Sequence, residues 1–396
     1  MPSYSQYKRF LSVLDGDDDI VWITVRGNHI PIKKGENKEE AIKSFFEKKS
    51  SESGQKSPEK AESRKEGSVS PEKAKKPVKN DYSTVKSVLA VAKKSKENKS
   101  INAESVIKDA VSFGKYGEKE IKERQKNYEE YFNKAPKKDG YRVDTVVKHS
   151  VGGHWEDGEY VGYKWKPERV KLQQKIIEEV SFGNIKDKLP KNGEKPKLVL
   201  IGGRGGSGKS KFTYEDENDN VLGEYGYSKK NFIVIDPDEY KERLPEYKEL
   251  VDKGSKFAGL NAWEVHEESS AMKKMALDKA LELGANVVLD GTLAKYGSAK
   301  RTLDKFREKG YIIDVAFMEL PREKSAVRGI NRGMRKNDSG QSVGRWVPVD
   351  VMLNMTDCEE NFDKLSKDAD NWVVFHNDVG KNDKPQFIAK GGKNGK

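Results

Sequence analysis

Eight consecutive residues, Gly203-Arg204-Gly205-Gly206-Ser207-Gly208-Lys209-Ser210, carry the strongest chemical signal in the chain. They satisfy G-x-x-x-x-G-K-[ST] in full. Glycines let backbone N–H groups turn inward around phosphate oxygens. A lysine at this spacing reaches the β and γ phosphates of a nucleoside triphosphate, and the following hydroxyl takes a place on Mg²⁺. The apolar run up to Ile201 supplies the strand that must precede such a loop. Gly203, Gly205, Gly206, Ser207, Gly208, Lys209 and Ser210 are therefore expected to hold ATP or GTP, with Ser210 also on the metal.

Two acids end later apolar runs. Phe232–Ile235 leads into Asp236-Pro237-Asp238, and Asn286–Leu289 leads into Asp290-Gly291-Thr292. In an open α/β sheet ligands sit outside the carboxyl ends of the strands, so both acids should face the phosphates. One could hold magnesium and one could take the proton of an attacking hydroxyl; each could instead be a helix N-cap. Charge developing on a moving phosphoryl group also needs cations. Arg328, Arg332 and Arg335 lie on one predicted helix, and Arg345 follows a glycine-bearing loop. Arg328 and Arg332 share a face, which could equally be a solvated basic surface.

The elements that would position these groups alternate. Strands are predicted at Leu198–Ile201, Phe232–Ile235, Val287–Leu289, Ile312–Met318 and Trp372–Phe375. Helices are predicted over Pro167–Val180 and near Ala262–Leu283, Ser298–Lys309, Glu323–Lys336 and Val349–Leu365. Such alternation implies an α/β fold with a parallel sheet covered by helices on both faces.

Together these motifs resemble the zeta toxin family of P-loop kinases, over about Tyr163 to Phe375. The likeness rests on the phosphate loop, on Ile235-Asp236-Pro237-Asp238-Glu239-Tyr240 followed by Leu244-Pro245-Glu246-Tyr247, and on His266-Glu267-Glu268-Ser269-Ser270. Asp290-Gly291-Thr292 and the pair Arg332 and Arg345 complete it. The resemblance implies transfer of the γ-phosphate of ATP or GTP to a sugar hydroxyl of a nucleotide sugar such as UDP-N-acetylglucosamine. It implies Asp238 as the base and Lys209, Arg332 and Arg345 around the phosphates. Asp290, Thr292, His266 and Glu268 would line the substrate, and Asp236 would join Ser210 at Mg²⁺. The family's toxin character implies an antitoxin as partner. Two features depart from the pattern: Arg-Gly-Gly stands in the loop where proline-glycine is usual, and a polar insertion, Tyr214 to Lys230, is expected to form a hairpin.

The rest of the chain is less telling. Of 396 residues only 34% are apolar and 36% are charged, so the polar residues must be segregated for a core to form. Ile20–Ile32 reads as a hairpin within a small module, residues 1–47, with helical turns at Ala41–Glu47. Residues 48–80, with the near-repeat Ser57-Pro58-Glu59-Lys60-Ala61-Glu62 and Ser70-Pro71-Glu72-Lys73-Ala74-Lys75, read as a disordered linker. Residues 81–160 read as three helices and a short β segment, 161–380 as the kinase domain, and 381–396 as a flexible tail. Single Cys358 cannot form an internal disulfide, and no apolar run approaches membrane-spanning length, so a soluble cytoplasmic protein is expected.

Two other readings compete. The net charge of +11 leaves room for a polynucleotide 5′-kinase, although no basic aromatic groove is evident and nucleic acid is not expected. A hairpin faintly like pieces of phage head proteins leaves room for a phage structural protein with a relic nucleotide domain, found in a virion or the host cytoplasm.

Overall fold

The computed structural model describes residues 20–25, 28–33, 82–98, 100–191, 193–380 and 383–393. The chain divides into two compact units, Met1–Lys75 and Lys76–Lys396. In the first, β1 (Ile20–Val25) and β2 (Asn28–Lys33) pair antiparallel, as the hairpin pattern predicts. The helical turns expected at Ala41–Glu47 and the linker at 48–80 lie outside the described residues.

The second unit is built on one six-stranded sheet. Its strands are β3 (Lys197–Gly202), β4 (Ile233–Ile235), β5 (Val287–Asp290), β6 (Ile312–Glu319), β7 (Asn371–His376) and β8 (Gln386–Gly391). The spatial order is β4-β5-β3-β6-β7-β8, parallel throughout except for the last pair. β8 was expected within a flexible tail. It is instead the edge strand, held by the antiparallel ladder to β7 and by buried Ala389.

The helices are α1 (Tyr82–Glu97), α2 (Ala103–Ser112), α3 (Glu118–Lys134), α4 (Thr145–His149), α5 (Pro167–Ile177), α6 (Pro237–Lys241), α7 (Pro245–Asp252), α8 (His266–Leu283), α9 (Tyr296–Glu308), α10 (Arg322–Gly333), α11 (Val349–Leu353) and α12 (Cys358–Ser366). Three of the expected helices are cut short or broken by contacts made at their ends. α8 begins after a separate 3₁₀ turn, Leu260–Trp263, because the Glu264 carbonyl at the junction is taken by the Thr145 N–H at 3.0 Å. α10 stops at Gly333, since the chain folds back and the Arg335 carbonyl accepts from the N–H groups of Val343 and Gly344. The helix expected over Val349–Leu365 is broken in two: Arg322 and Arg204 take the carbonyls of Leu353 and Met355 at the break.

Side chains alternate along the strands, so the two faces of the sheet bury different sets. Leu198, Leu200, Ile233, Ile235, Ile313, Val315 and Phe317 pack with residues of α5, α8, α9 and α12. Val199, Ile201, Val234, Val288, Ala316 and Val373 pack instead with Phe212 and Leu222, backed by Tyr225, Tyr227 and Phe232. The polar insertion therefore covers part of this second face. It is not a hairpin: Thr213–Tyr214 and Tyr227–Ser228 pair in parallel, which demands a crossover, supplied here by 3₁₀ turns at Glu217–Asp219 and Gly223–Tyr225. A further core joins α2 and α3 to α10 and α11 through Val106, Ile107, Ile121, Val327, Ile330 and Trp346. The stretch from α1 to Tyr163 thus shares a compact unit with the phosphate loop. Among the described residues no helix is long and apolar enough to cross a membrane.

Candidate active site

β3 runs straight into the glycine-rich loop. Gly203, Gly206 and Gly208 adopt φ of 138°, 94° and 91°, a region that L side chains rarely enter. A Cβ on Gly203 would lie 2.5 Å from the Met318 carbonyl oxygen, and one on Gly208 would collide with the side-chain amide of Asn377. The loop is therefore pressed onto β6 and onto the residue following β7. It is also tied down by side chains: Asn377 Nδ2 donates to the Ser207 carbonyl at 2.6 Å, and Ser325 Oγ to the Gly205 carbonyl at 2.7 Å.

Arg204, the unusual residue of the loop, turns into the protein. It is buried, makes a two-pronged ion pair with buried Glu359 (Nη2–Oε2 2.6 Å), and donates to the carbonyls of Met355 and Leu320. Its own carbonyl accepts from Lys209 Nζ at 3.2 Å. Lys209 and Ser210 lie on a single 3₁₀ turn, Lys209–Phe212, in place of a long helix. The Ser210 residue is exposed at the rim of the loop.

The three acids gather where the strand ends meet this loop. Asp290 closes β5, beside Ile201 of β3, with Oδ1 3.8 Å from Lys209 Nζ. Burial holds its carboxyl above the ordinary range, with Lys209 pulling the other way. Asp236 caps α6, accepting from the Asp238 N–H at 2.8 Å, so the capping alternative is realised at this position. Burial, then the neighbouring Asp290 and Asp238, push its pKa up to about 8. Asp238 stands in the first turn of α6, where Oδ2 meets Arg345 Nη2 at 2.6 Å and Oδ1 meets Lys241 Nζ at 3.0 Å. Burial alone would raise its pKa; Arg345 and Lys241 more than reverse that and hold it well below the usual carboxylate range.

Arg332 sits on α10 against the loop: a Cβ on Gly205 would lie 3.7 Å from its Nη2. Its Nε is buried without a hydrogen-bond partner, and among the described residues no carboxylate stands within ion-pair distance of it. Burial, then the nearby Arg345, lower its pKa to about 10. A guanidinium left so short of anions retains the capacity to pair with one.

Not every expected residue converges. Arg328, on the same helix, donates to the Asn377 carbonyl at 2.8 Å. Arg335 lies on the exposed surface. Glu268 is fully buried, with both oxygens held by Arg169 at 2.7 Å and one by Gln173, so it braces α8 against α5 and offers nothing to a substrate. That correction follows from the hydrogen bonds already saturating its oxygens. His266 is exposed at the start of α8, within electrostatic reach of Lys241 and Asp238. Thr292 Oγ1 accepts from the Ala294 N–H at 3.2 Å in a local turn. That turn includes Leu293 at φ 57°, held by Asn361, which donates to the Leu293 carbonyl at 2.8 Å. Cys358 is buried, and burial pushes its thiol up to about 11.

Three contributors were missed from the sequence: Asn377, Lys241 and the Arg204–Glu359 pair. Asn377 was findable, since it follows the last parallel strand and so falls at a carboxyl end like the two acids. Among the described residues no cluster of three or more His, Cys, Asp or Glu could hold a metal unaided. Mg²⁺ usually arrives on phosphates and takes only one or two protein ligands. The Ser210 hydroxyl with Asp236 or Asp290 supplies oxygen donors of the right kind.

A family model described as zeta toxin matches residues 182–385. The chain is 28% identical over 142 residues to proteins named Toxin zeta from Enterococcus hirae and Streptococcus pyogenes, covering 35% of this chain and 45% of each relative. It is 25% identical over 136 residues to Toxin PezT of Streptococcus pneumoniae, 34% of this chain and 49% of that protein. The matches thus span less than half the length of these relatives. Among solved structures, a chain of the PezAT toxin–antitoxin system of Streptococcus pneumoniae aligns at 18% identity and a TM-score of 0.41, over 57% of this chain and 81% of that one. A chain of the AvrRxo1-ORF1:AvrRxo1-ORF2 complex aligns at 19% identity and 0.45, over 63% and 77%.

Proposed function

Because the chain belongs to the zeta toxin family, we propose that it is a phosphotransferase that moves the γ-phosphate of ATP, or GTP, to a hydroxyl of a nucleotide sugar such as UDP-N-acetylglucosamine. One observation carries the reading: an ionised Asp238 held by Arg345 at 2.6 Å, next to an arginine without an anion and a phosphate loop.

The loop amides and Lys209 would cradle the triphosphate, Lys209 leaving the Arg204 carbonyl for the β and γ oxygens. Mg²⁺, held by Ser210 and one of the two raised acids, would neutralise phosphate charge. Arg332 and Arg345 would then stabilise the charge spreading over the equatorial oxygens. A triphosphate competes with Asp238 for Arg345. Once that arginine moves to phosphate, the Asp238 carboxylate loses one of the two cations that hold its basicity down, Lys241 remaining at 3.0 Å, and becomes a better acceptor for the proton of the sugar hydroxyl. In this scheme the base gains strength when the phosphate is in place. His266, Asp290 and Thr292 would orient the acceptor. An antitoxin partner belongs to the same proposal, resting on the toxin names of the matched relatives.

The test is incubation with γ-labelled ATP and a panel of nucleotide sugars, with Lys209→Ala and Asp238→Ala as controls. Label on one sugar with the intact protein and none with either control is the expected result. Label on a DNA or RNA 5′ end instead would replace the sugar by a polynucleotide. Intact ATP binding with no transfer to any acceptor would leave a nucleotide-binding protein only.

A further inference from the structure

Arg124, on α3, plays no part in the scheme above, yet its side chain ends beside it. The residue is 3% exposed, and among the described residues no carboxylate pairs with it. Its Nη2 donates to the carbonyls of Ala258 at 2.6 Å and Gly344 at 2.9 Å, and Nη1 to that of Lys256 at 3.2 Å. Burying a guanidinium against neutral carbonyls alone is costly, and burial lowers its pKa to about 10. Such an arrangement persists only where the surrounding fold imposes it.

The Gly344 carbonyl belongs to the peptide unit that leads into Arg345. Gly344 itself has no room to move: a Cβ there would overlap the Arg332 carbonyl and the Gly333 backbone. On the far side of Arg345, the Trp346 N–H donates to the Gly259 carbonyl at 3.1 Å. The arginine that reaches Asp238 is thus flanked by two fixed peptides, and Arg124 joins the strip that fixes one (Lys256–Ala258) to the other. The same helix adds Tyr131, whose hydroxyl donates to Glu264 at 2.8 Å just before α8, and Glu120, paired with Lys336 at 3.2 Å just after α10. The α3 helix therefore spans the arginine side and the acceptor side of the site.

We infer that Arg124 is a positioning residue for Arg345: its fork clamps the 256–258 strip to Gly344 and so aims the Arg345 guanidinium at the phosphate. The inference rests on the phosphoryl-transfer reading. A lysine at position 124 would supply charge but a single ammonium, unable to span three carbonyls in one plane.

The experiment is a double-mutant cycle in the full chain, with Arg124→Met, Arg345→Ala and the combination, measuring kcat and KM. Misaiming a phosphate-bracing arginine by about 1 Å should lower kcat by about 30- to 100-fold, with KM for the nucleotide changed by less than about threefold. Because Arg124 acts through Arg345, the combined variant should be no slower than Arg345→Ala alone. Losses that multiply, or an Arg124→Met enzyme with the wild-type kcat, overturn the inference. Arg124→Lys repeats the cycle if the methionine variant does not fold, with a smaller loss and the same non-additivity expected. If the wild type transfers no phosphate, the kinase reading fails, and the same cycle is read as the affinity ratio for a non-hydrolysable ATP analogue over ADP. An equal ratio in Arg345→Ala and the combined variant supports the positioning role, and a further fall contradicts it.

Discussion

Arg204 anchors the phosphate loop to the interior through a buried ion pair. Glu359 and Arg204 are 2% and 4% exposed, and the pair is two-pronged. Glu359→Ala would strand the Arg204 guanidinium in the interior. Breaking a buried pair from one side costs about 3–5 kcal/mol. Arg204 would keep its bonds to Met355 and Leu320 at 2.8 and 3.3 Å, so the lower end, about 3 kcal/mol, is expected. With a urea m-value of about 3 kcal/mol/M for a unit of this size, the unfolding midpoint should fall by about 1 M. Replacing both partners, Arg204→Met with Glu359→Leu, removes the stranded charge and should recover most of that loss. The ATP-induced thermal shift should shrink in Glu359→Ala as well, because the Arg204 carbonyl contacts the Ser207 N–H and Lys209. Urea unfolding of the wild type, Glu359→Ala and the double variant decides it. A midpoint unmoved by Glu359→Ala, or a double variant no more stable than Glu359→Ala, would refute the reasoning.

Other predictions follow from single contacts. Gly208→Ala places a methyl against the Asn377 amide at a φ of 91°, so calorimetry should find ATP affinity lost in a folded protein. Asn377→Ala frees the Ser207 carbonyl and should weaken ATP binding by about tenfold, the equivalent of one net hydrogen bond of about 1–1.5 kcal/mol. Asp236 keeps its proton in the folded state up to about pH 8 but loses it near 4 when unfolded. The native state therefore holds more protons across that window, and stability should fall as pH rises from about 4 to about 8 and then level off. Asp236→Asn should flatten that slope in pH-dependent unfolding; an unchanged slope would assign it to other groups.

How much could be read beforehand varied with the kind of signal. The strands and the loop were legible because their information is local: β-branched runs, glycines that only positive φ explains, and a lysine and serine at fixed offsets. Asp236, Asp238 and Asp290 were legible through a topological rule that places strand ends beside the phosphates. The helix breaks at Glu264 and Met355 were not, since each carbonyl there is claimed by a side chain or backbone group over a hundred residues away. Glu268 looked like a ligand for a sugar because nothing in its own helix reveals that Arg169 already occupies it. The insertion resembled a hairpin by composition, but its parallel crossover sets Tyr225 on Phe375 of β7 and Phe387 of β8, contacts no local pattern announces. Arg124 carried no signal at all: a lone arginine in a charged helix reads as solvated until the fold brings three carbonyls to it.

The most direct test of the central claim is a crystal structure with a non-hydrolysable ATP analogue and UDP-N-acetylglucosamine bound together. The account predicts that Arg345 leaves Asp238, now 2.6 Å away, for the γ-phosphate, and that the freed Asp238 carboxylate stands within about 3.2 Å of a sugar hydroxyl. Arg345 still locked on Asp238 with the triphosphate in place, or an Asp238 far from every sugar hydroxyl, would contradict it.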